Sequence, residues 1–395
     1  MQACSKTAEL CAPMDPSDFL QLLAECGFTE AGYLAANPNL GDPGKTPSGL
    51  TSHFTEIGLL QRRPIKVPHE TIDLLAVLRR ISASGIANRE YAACLMALMG
   101  REYITQKWPT GIANPIWENA DRRTDAEIEE IFSYREFGAL PYFSLGDSHS
   151  RLYQSVRILA DHKWLLPVSM TCSGGSARGL INENSNLKYG PRIRSLFERI
   201  RPHLENGATS FFKFGQVDVE YVYTYQWSRS GRTEFDLSDF ESFIDDTISR
   251  YLTFMVNLVP CDLRKRTYIC SICPPALADE EWAERYVLGH FGQNMTPEKE
   301  AEQLAIVKRM SIPNIRERSQ LHGLFNRQLR QAAERAGFTF VDDATQFLGS
   351  DGATLDAKFI AKSKGSDVHI DRIFDTISLI EKTIRPLVEV EVPGV

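Results

Sequence analysis

A serine stands where a buried strand is expected to end and a helix to begin. The mostly apolar run Tyr142–Leu145 leads into Gly146-Asp147-Ser148-His149, and a helix-like segment follows at once. In such a turn glycine allows the sharp change of direction. The serine hydroxyl then lies beside the free N–H groups of a helix start, at the sheet edge where ligands bind. Ser148 is therefore our candidate nucleophile.

A serine hydroxyl is a weak nucleophile at neutral pH and needs a base within hydrogen-bond reach. Asp367 and His369 stand near the C-terminus, on a loop just before the last predicted helix. If that loop lies over the same sheet edge, His369 takes the proton of Ser148 and Asp367 orients the imidazole. His149 is not expected to be the base, because adjacent side chains point apart. It either lines the cleft or has a structural role.

Strand and helix patterns alternate from residue 138 onward. Short apolar runs predict strands at Leu140–Ser144, Leu165–Thr171, Ser210–Phe214, Thr267–Ile272 and Phe338–Val341. Helices are predicted at Ser148–Asp161, Pro191–His203, Leu237–Asn257, Pro313–Ala336 and Ile370–Thr383. This alternation predicts an α/β fold, with a parallel sheet and helices on both faces. Ser148 would lie at the carboxyl end of the first strand.

Together these motifs resemble those of the SGNH (GDSL-like) hydrolase superfamily. The resemblance rests on Gly146-Asp147-Ser148 after the first strand and Asp-x-His near the C-terminus, and it covers about residues 138–385. The Gly-Asp-Ser-His form is most similar to SGNH domains that accompany polysaccharide acylation and deacylation. The resemblance implies a flavodoxin-like three-layer α/β fold. It also implies ester hydrolysis or acyl transfer through an acyl-serine. Asp147 and His149, on either side of the serine, are candidate substrate contacts.

The resemblance also implies a glycine after the second strand whose N–H binds the oxyanion. The loop from Thr171 to Asn182 is glycine-rich, and Gly175 or Gly179 is favoured for this role. Arg178 and Asn182 in the same loop are candidate substrate contacts. The alternative is a glycine-rich turn that serves packing alone.

A third family element differs in this chain. Many members carry Gly-x-Asn-Asp after the third strand, where the asparagine completes the oxyanion hole. Here the sequence is Gly215-Gln216-Val217-Asp218, and valine cannot donate a hydrogen bond. Either Gln216 or a backbone N–H substitutes for the asparagine, or the oxyanion hole has only two donors. Loss of one such donor lowers the rate about 10²–10³-fold in a well-studied protease. Asp218 either binds substrate or caps the next turn.

The spacing of the acid differs as well. The family pattern is Asp-x-x-His, whereas Asp367 stands two residues before His369. Asp371 is the alternative acid. A serine–histidine pair steered by a backbone carbonyl is a further alternative.

A chain of 395 residues is expected to form two domains. We predict a flexible tail at 1–14, a small all-helical N-terminal module at 15–104, a linker at 105–135 and the SGNH-like α/β domain at 136–395. Residues 28–64 resemble a short helical repeat of bacterial glycan-synthesis proteins. The module would cover a sheet edge or mediate self-association, or else dock carbohydrate.

Composition narrows the function classes. The net charge of −7 argues against a nucleic-acid partner. The chain shows no signal peptide and no apolar run long enough to span a bilayer, and its eight cysteines are scattered, so we expect a cytoplasmic protein with reduced thiols. It has no Gly-x-Gly-x-x-Gly after a strand and no phosphate-binding loop, and we expect no cofactor and no metal.

The sequence therefore predicts a serine esterase that acts on an acylated sugar or polysaccharide precursor through an acyl-serine. An O-acyltransferase acting on a glycan is one alternative. Another is a domain that has kept the fold but lost hydrolysis, and that binds glycan or serves as a scaffold in polysaccharide assembly.

Overall fold

The computed structural model describes residues 30–31, 34, 119–133, 135, 139–154, 157–158, 164–282, 296–360, 368–371 and 374–389. The predicted tail, nearly all of the predicted helical module and Asp367 lie outside these residues. The chain divides into two compact units. One comprises 1–117, 129–141 and 155–166, and the other comprises 118–128, 142–154 and 167–395.

A six-stranded sheet has the order β2-β3-β1-β4-β5-β6. The strands are β1 Ala139–Gly146, β2 Arg157–Ile158, β3 Trp164–Thr171, β4 Ser210–Lys213, β5 Thr267–Cys270 and β6 Thr339–Val341. Strands β1, β4, β5 and β6 pair in parallel, and β2 pairs antiparallel with β3. The five predicted strands and the α/β class are thus confirmed.

Helices flank the sheet. They are α1 Asp125–Ser133, α2 Tyr189–Glu205, α3 Tyr223–Arg229, α4 Leu237–Leu258, α5 Pro297–Val307, α6 Ile315–Arg335 and α7 Phe374–Val388. Local sequence explains their ends. The Asp236 side chain accepts from two N–H groups at the start of α4, and Asn314 with Glu317 forms a capping box on α6. Gly337, with φ of +85°, ends α6 and turns the chain toward β6.

The predicted helix over Ser148–Asp161 is wrong. Residues Ser148–Tyr153 form a 3₁₀ helix, and Arg157–Ile158 form β2. The Gln154 side chain donates to Thr171 Oγ1 at 2.7 Å, and Arg157–Ile158 take up antiparallel pairing with the start of β3. These contacts between residues distant in the chain override the helical spacing of the sequence.

The segment after β4 is helical. A π-helical turn, Asp218–Val222, leads directly into α3. Such turns within helices are frequent at functional sites.

Central strands are buried on both faces. Phe143, Leu145, Phe211 and Phe212 are each at most 1% exposed. Burial on both faces explains why these strands read as nearly continuous apolar runs rather than as alternating patterns. In the part of the chain that the structure describes, no helix combines the length and the apolar character needed to cross a bilayer.

Candidate active site

Ser148 is the first residue of the 3₁₀ helix that follows β1. The Asp147 N–H donates to the Lys213 carbonyl on β4 at 3.0 Å, which holds the turn against the sheet. The Asp147 carboxylate accepts from the His149 N–H at 2.9 Å and so caps the helix. Asp147 and His149 are buried, whereas Ser148 is partly exposed. The turn therefore leaves the serine accessible while its neighbours are fixed.

Gly146 is required by the close approach of two strands. A Cβ at this position would lie 2.3 Å from the Lys213 carbonyl oxygen and 2.6 Å from the Ser150 Cβ. Real Cβ atoms do not approach other atoms so closely. A side chain at Gly146, the last residue of β1, would therefore force the surrounding backbone to move.

Gly146→Ala is therefore expected to lower the free energy of unfolding by about 1–3 kcal/mol, the usual cost of overpacking. Chemical denaturation measures this change. Gly323→Ala is the matched control, because Gly323 lies inside α6 and its added Cβ would come no closer than 3.5 Å to another atom. That variant should gain about 0.5–1 kcal/mol from helix propensity. Equal effects of the two substitutions would contradict the steric account.

His369 lies beside the serine turn. Its ring centroid is 4.6 Å from that of His149, and the two planes are tilted by 37°. An antiparallel bridge between Ile370 and Ile360 anchors the segment, and the Asp371 N–H donates to the Phe359 carbonyl at 2.8 Å. The two motifs that the sequence placed far apart thus meet. Asp367 lies outside the described residues, so its role as the orienting acid stays a prediction.

His149 forms a buried pair with Asp147. Its Nδ1 lies 3.1 Å from Asp147 Oδ1. Burial lowers the pKa of His149, but the hydrogen bond to Asp147, the charge of Asp147 and the charge of Glu220 outweigh it, so the net pKa is raised. The His149 ring thus packs against His369 while its Nδ1 is held by the Asp147 carboxylate.

The two candidate oxyanion glycines have engaged N–H groups. The Gly175 N–H donates to the Cys172 carbonyl at 2.7 Å. The Gly179 N–H donates to Ser176 Oγ at 3.0 Å. To receive a substrate oxyanion, either group would first have to leave its present acceptor.

Arg178 and Asn182 also make local contacts. The Arg178 guanidinium donates to Asp246 at 2.9 Å and stacks 4.8 Å from the centre of the Phe243 ring. Asn182 is exposed, and its side-chain oxygen accepts from the Asn184 N–H at 3.0 Å. Arg178 is thus tied to α4 and Asn182 to its own loop.

Asp218 connects the loop after β3 to the turn after β4. Its carboxylate accepts from the Ala177 N–H at 2.5 Å and the Arg178 N–H at 3.3 Å, and it is fully buried. Burial outweighs these bonds and raises the pKa of Asp218 to about 7. In this structure Asp218 positions the glycine-rich loop.

A raised carboxyl pKa makes the fold bind its proton more tightly than the unfolded chain does. The stability from Asp218 is therefore present at low pH and falls as pH rises from about 4 toward 7, by about 1.4 kcal/mol per pH unit. Asn cannot titrate. We expect the unfolding free energy of Asp218→Asn, relative to wild type, to rise by roughly 2 kcal/mol between pH 5.5 and 8.

Urea denaturation at the two pH values measures this difference. Asp245→Asn, on the exposed surface of α4, is the control and should leave the profile unchanged. Parallel profiles for Asp218→Asn and wild type would show that Asp218 does not titrate in this window.

Gln216 joins the loops after β4 and β5. Its Nε2 donates to Glu220 Oε1 at 2.8 Å and to the Cys273 carbonyl at 3.2 Å, and its Oε1 accepts from the Cys273 N–H at 2.8 Å. Both amide hydrogens thus have acceptors. Val217 is buried. The side chain considered as a substitute for the missing asparagine is therefore engaged in holding two loops together.

A buried charged pair at the same sheet edge was not predicted from the sequence. Lys213 Nζ lies 3.0 Å from Asp343 Oδ2, and both side chains are at most 3% exposed. Asp343 also accepts from the Tyr153 hydroxyl at 3.0 Å and from Ser271 Oγ. A lysine inside the apolar run Ser210–Phe214 was the available signal, since a buried charge requires a partner.

In the part of the chain that the structure describes, no group of three or more His, Cys, Asp or Glu side chains could hold a metal ion.

The similarity of this chain to known proteins is weak. Neither protein-family models nor curated proteins match the chain. It is similar to the solved structure of a candidate acylhydrolase from Bacteroides fragilis, with 12% identity, 64% of this chain and 86% of that chain covered, and a TM-score of 0.28. It is also similar to a GDSL-like lipase from Bacteroides thetaiotaomicron, with 12% identity, coverage of 69% and 98%, and a TM-score of 0.30.

Proposed function

We propose that the protein is an SGNH-like serine hydrolase that cleaves an acyl ester of a sugar or polysaccharide precursor. The observation that carries the proposal is the His369 ring, packed 4.6 Å from the ring of His149, the residue next to Ser148. A partly exposed serine in a turn at the carboxyl edge of a parallel sheet, with a histidine from a distant loop packed against the next residue, suits nucleophilic catalysis.

The reaction would proceed in two steps. Ser148 Oγ attacks the ester carbonyl carbon while its proton passes to a ring nitrogen of His369. The bond from that carbon to the sugar oxygen breaks, and His369 gives its proton to the leaving oxygen. Water then attacks the acyl carbon while His369 takes a proton from it. The bond from that carbon to Ser148 Oγ breaks, the carboxylic acid leaves, and His369 returns the proton to Ser148 Oγ. Asp367 is proposed to orient His369.

A fluorophosphonate probe tests the proposal, because it reacts with activated serines. Peptide mapping by mass spectrometry should find the label on Ser148. Ser173→Ala, which removes an exposed serine of the loop after β3, should leave labelling intact. Labelling that persists in Ser148→Ala, or that is absent from wild type, would overturn the assignment.

A second candidate is a glycan-binding domain that does not catalyse hydrolysis. It is favoured by the engaged N–H groups of Gly175 and Gly179 and of the Gln216 side chain. Glycan binding that survives Ser148→Ala, in a protein that neither reacts with the probe nor turns over esters, would support it.

A further inference from the structure

A polar cleft lies between α6 and the loop that follows β6. It encloses about 430 Å³. Small-molecule sites span about 300–1,000 Å³, so this volume is large enough for a ligand with a ring. We call it the α6 cleft. Its lining lies on α6, in the loop after β6 and, at Pro274, in the loop after β5, and the cleft is therefore at the carboxyl edge of the sheet.

Hydrogen bonds hold both walls of the α6 cleft in place. On the helix, the Asn326 side chain accepts from the Ile272 N–H at 2.8 Å and donates to the Ile272 carbonyl at 2.9 Å, which fastens α6 to the chain just beyond β5. Across the cleft, the Gly349 N–H donates to the Thr354 carbonyl at 2.8 Å within the loop. The walls are thus in place before a ligand binds, and this lowers the cost of ordering them.

One face of α6 presents an arginine without a partner to the cleft. The lining residues of this face recur every three or four positions and include Ser319, Gly323, Arg327 and Arg330. Arg327 Nη1 lies 3.5 Å from the position that a Cβ on Gly323 would take, so the guanidinium lies over the glycine. Among the residues that the structure describes, Arg327 has no acidic partner and no acceptor. Arg330, in contrast, pairs with Asp342 of the opposite wall.

A buried hydroxyl lies on the same face of the helix. Ser319 is 8% exposed, and its Oγ has no hydrogen-bond partner. Buried polar groups normally have a partner, so this hydroxyl is one that a ligand in the cleft would satisfy. Because the Arg327 guanidinium lies over Gly323, it is about one helical turn, or 6 Å, from Ser319. A single ring with a polar group at each end fits this separation.

The charges of the lining favour a ligand with one negative charge. A guanidinium can bind a carboxylate through two parallel N–H···O bonds, and Arg327 is available for this. His322, also in the lining, is neutral because burial lowers its pKa. The Asp342 carboxylate would repel a second negative charge. Ligand hydroxyls would meet Ser319 and the exposed Thr345 of the opposite wall.

We propose that the α6 cleft binds a sugar that carries a carboxylate, with the carboxylate on Arg327 and a ring hydroxyl on Ser319. Ser148 follows β1 at the same edge of the sheet and belongs to the same compact unit. Strands β1 and β6 are three positions apart, or about 14 Å. An ester on a neighbouring sugar of the same glycan could thus reach Ser148. This role in substrate binding rests on the proposed function, whereas the binding of an acidic sugar does not.

Ligand-observed NMR on the full-length wild-type protein tests the site without turnover. The probes are methyl glucuronide and methyl galacturonide, with methyl glucoside and methyl galactoside as their neutral counterparts. None carries an ester for Ser148 to cleave. At least one acid should show saturation transfer and should bind about three- to tenfold more tightly than its neutral counterpart. Arg327→Gln and Ser319→Ala should each weaken binding of that acid about three- to tenfold.

Arg335→Gln is the matched control, because Arg335 is exposed on α6 and does not line the cleft. It should bind as wild type does. Failure of both acids to bind would overturn the proposal, and so would equal binding of an acid and its neutral counterpart or wild-type binding by Arg327→Gln. Acetate or inorganic phosphate that binds more tightly than either acid would also overturn it, because the cleft would then recognise a simple anion.

Fluorophosphonate labelling separates this proposal from the proposed hydrolase. Binding of an acidic sugar by a protein that the probe does not label would keep this site and remove the hydrolase. Labelling of Ser148 in a protein that binds neither acid would keep the hydrolase and remove this site.

Discussion

Ser148→Ala is expected to reduce the hydrolysis of 4-nitrophenyl acetate at least about 10³-fold, because the nucleophile cannot be replaced by its neighbours. Ser150 is buried and donates its hydroxyl to the Asp147 carbonyl at 2.7 Å, and it is therefore already engaged. His369→Ala should cost about 10²–10⁴-fold, as loss of a general base does. Initial rates at saturating and at low substrate concentration measure both effects.

Ser173→Ala should retain the wild-type rate. A Ser148→Ala variant within a few-fold of wild type would mean that the observed hydrolysis arises elsewhere. A His369→Ala variant with a wild-type rate would assign the base to another group, and His149 would be the first to examine.

Lys213→Met is expected to lower the free energy of unfolding by about 3–5 kcal/mol. The substitution leaves the Asp343 carboxylate buried without its cation, among hydroxyl donors that only partly compensate. The Lys213→Met/Asp343→Asn double variant removes both charges, and the Asn side-chain oxygen can still accept from Tyr153 or Ser271. It should recover much of the loss. Denaturant titration measures all three proteins.

The adjacent aspartate provides the control. Asp342 pairs with Arg330, whose side chain is 45% exposed. Exposed ion pairs contribute about 0–1 kcal/mol, so Arg330→Met should have a small effect. A double variant less stable than Lys213→Met would contradict the electrostatic explanation.

The sheet could be predicted because its signal is local. A parallel strand covered on both faces needs a nearly continuous apolar run. Ser210–Phe214 and Thr267–Ile272 are runs of this kind, and each contains a strand of the sheet. The long helix α4 could be predicted for the same reason, because the signal lies within the segment itself, and the prediction Leu237–Asn257 agrees with the observed Leu237–Leu258. The helix predicted after Ser148 was wrong because the structure of this segment depends on the bond from Gln154 to Thr171 and on pairing with the start of β3. The residues of the segment carry no signal of these contacts.

The candidate site was predictable in part for the same reason. The carboxyl ends of parallel strands share one edge, so Ser148 and a late histidine could be expected to meet. The partners of Gln216, Asp218 and Lys213 could not be expected. Each is set by a residue on another loop, namely Cys273, Ala177 and Asp343, and sequence spacing carries no information on such contacts.

The most direct measurement is a crystal structure of the protein after reaction with an organophosphonate. We expect phosphorus bonded to Ser148 Oγ, with a ring nitrogen of His369 within about 3 Å of a bound oxygen. The same structure would show which N–H groups hold the phosphonyl oxygen, and whether Gly175 or Gly179 has left its present acceptor. Phosphorus on another side chain would contradict the assignment of Ser148 as the nucleophile, and a His369 ring turned away from the trapped serine would contradict its assignment as the base.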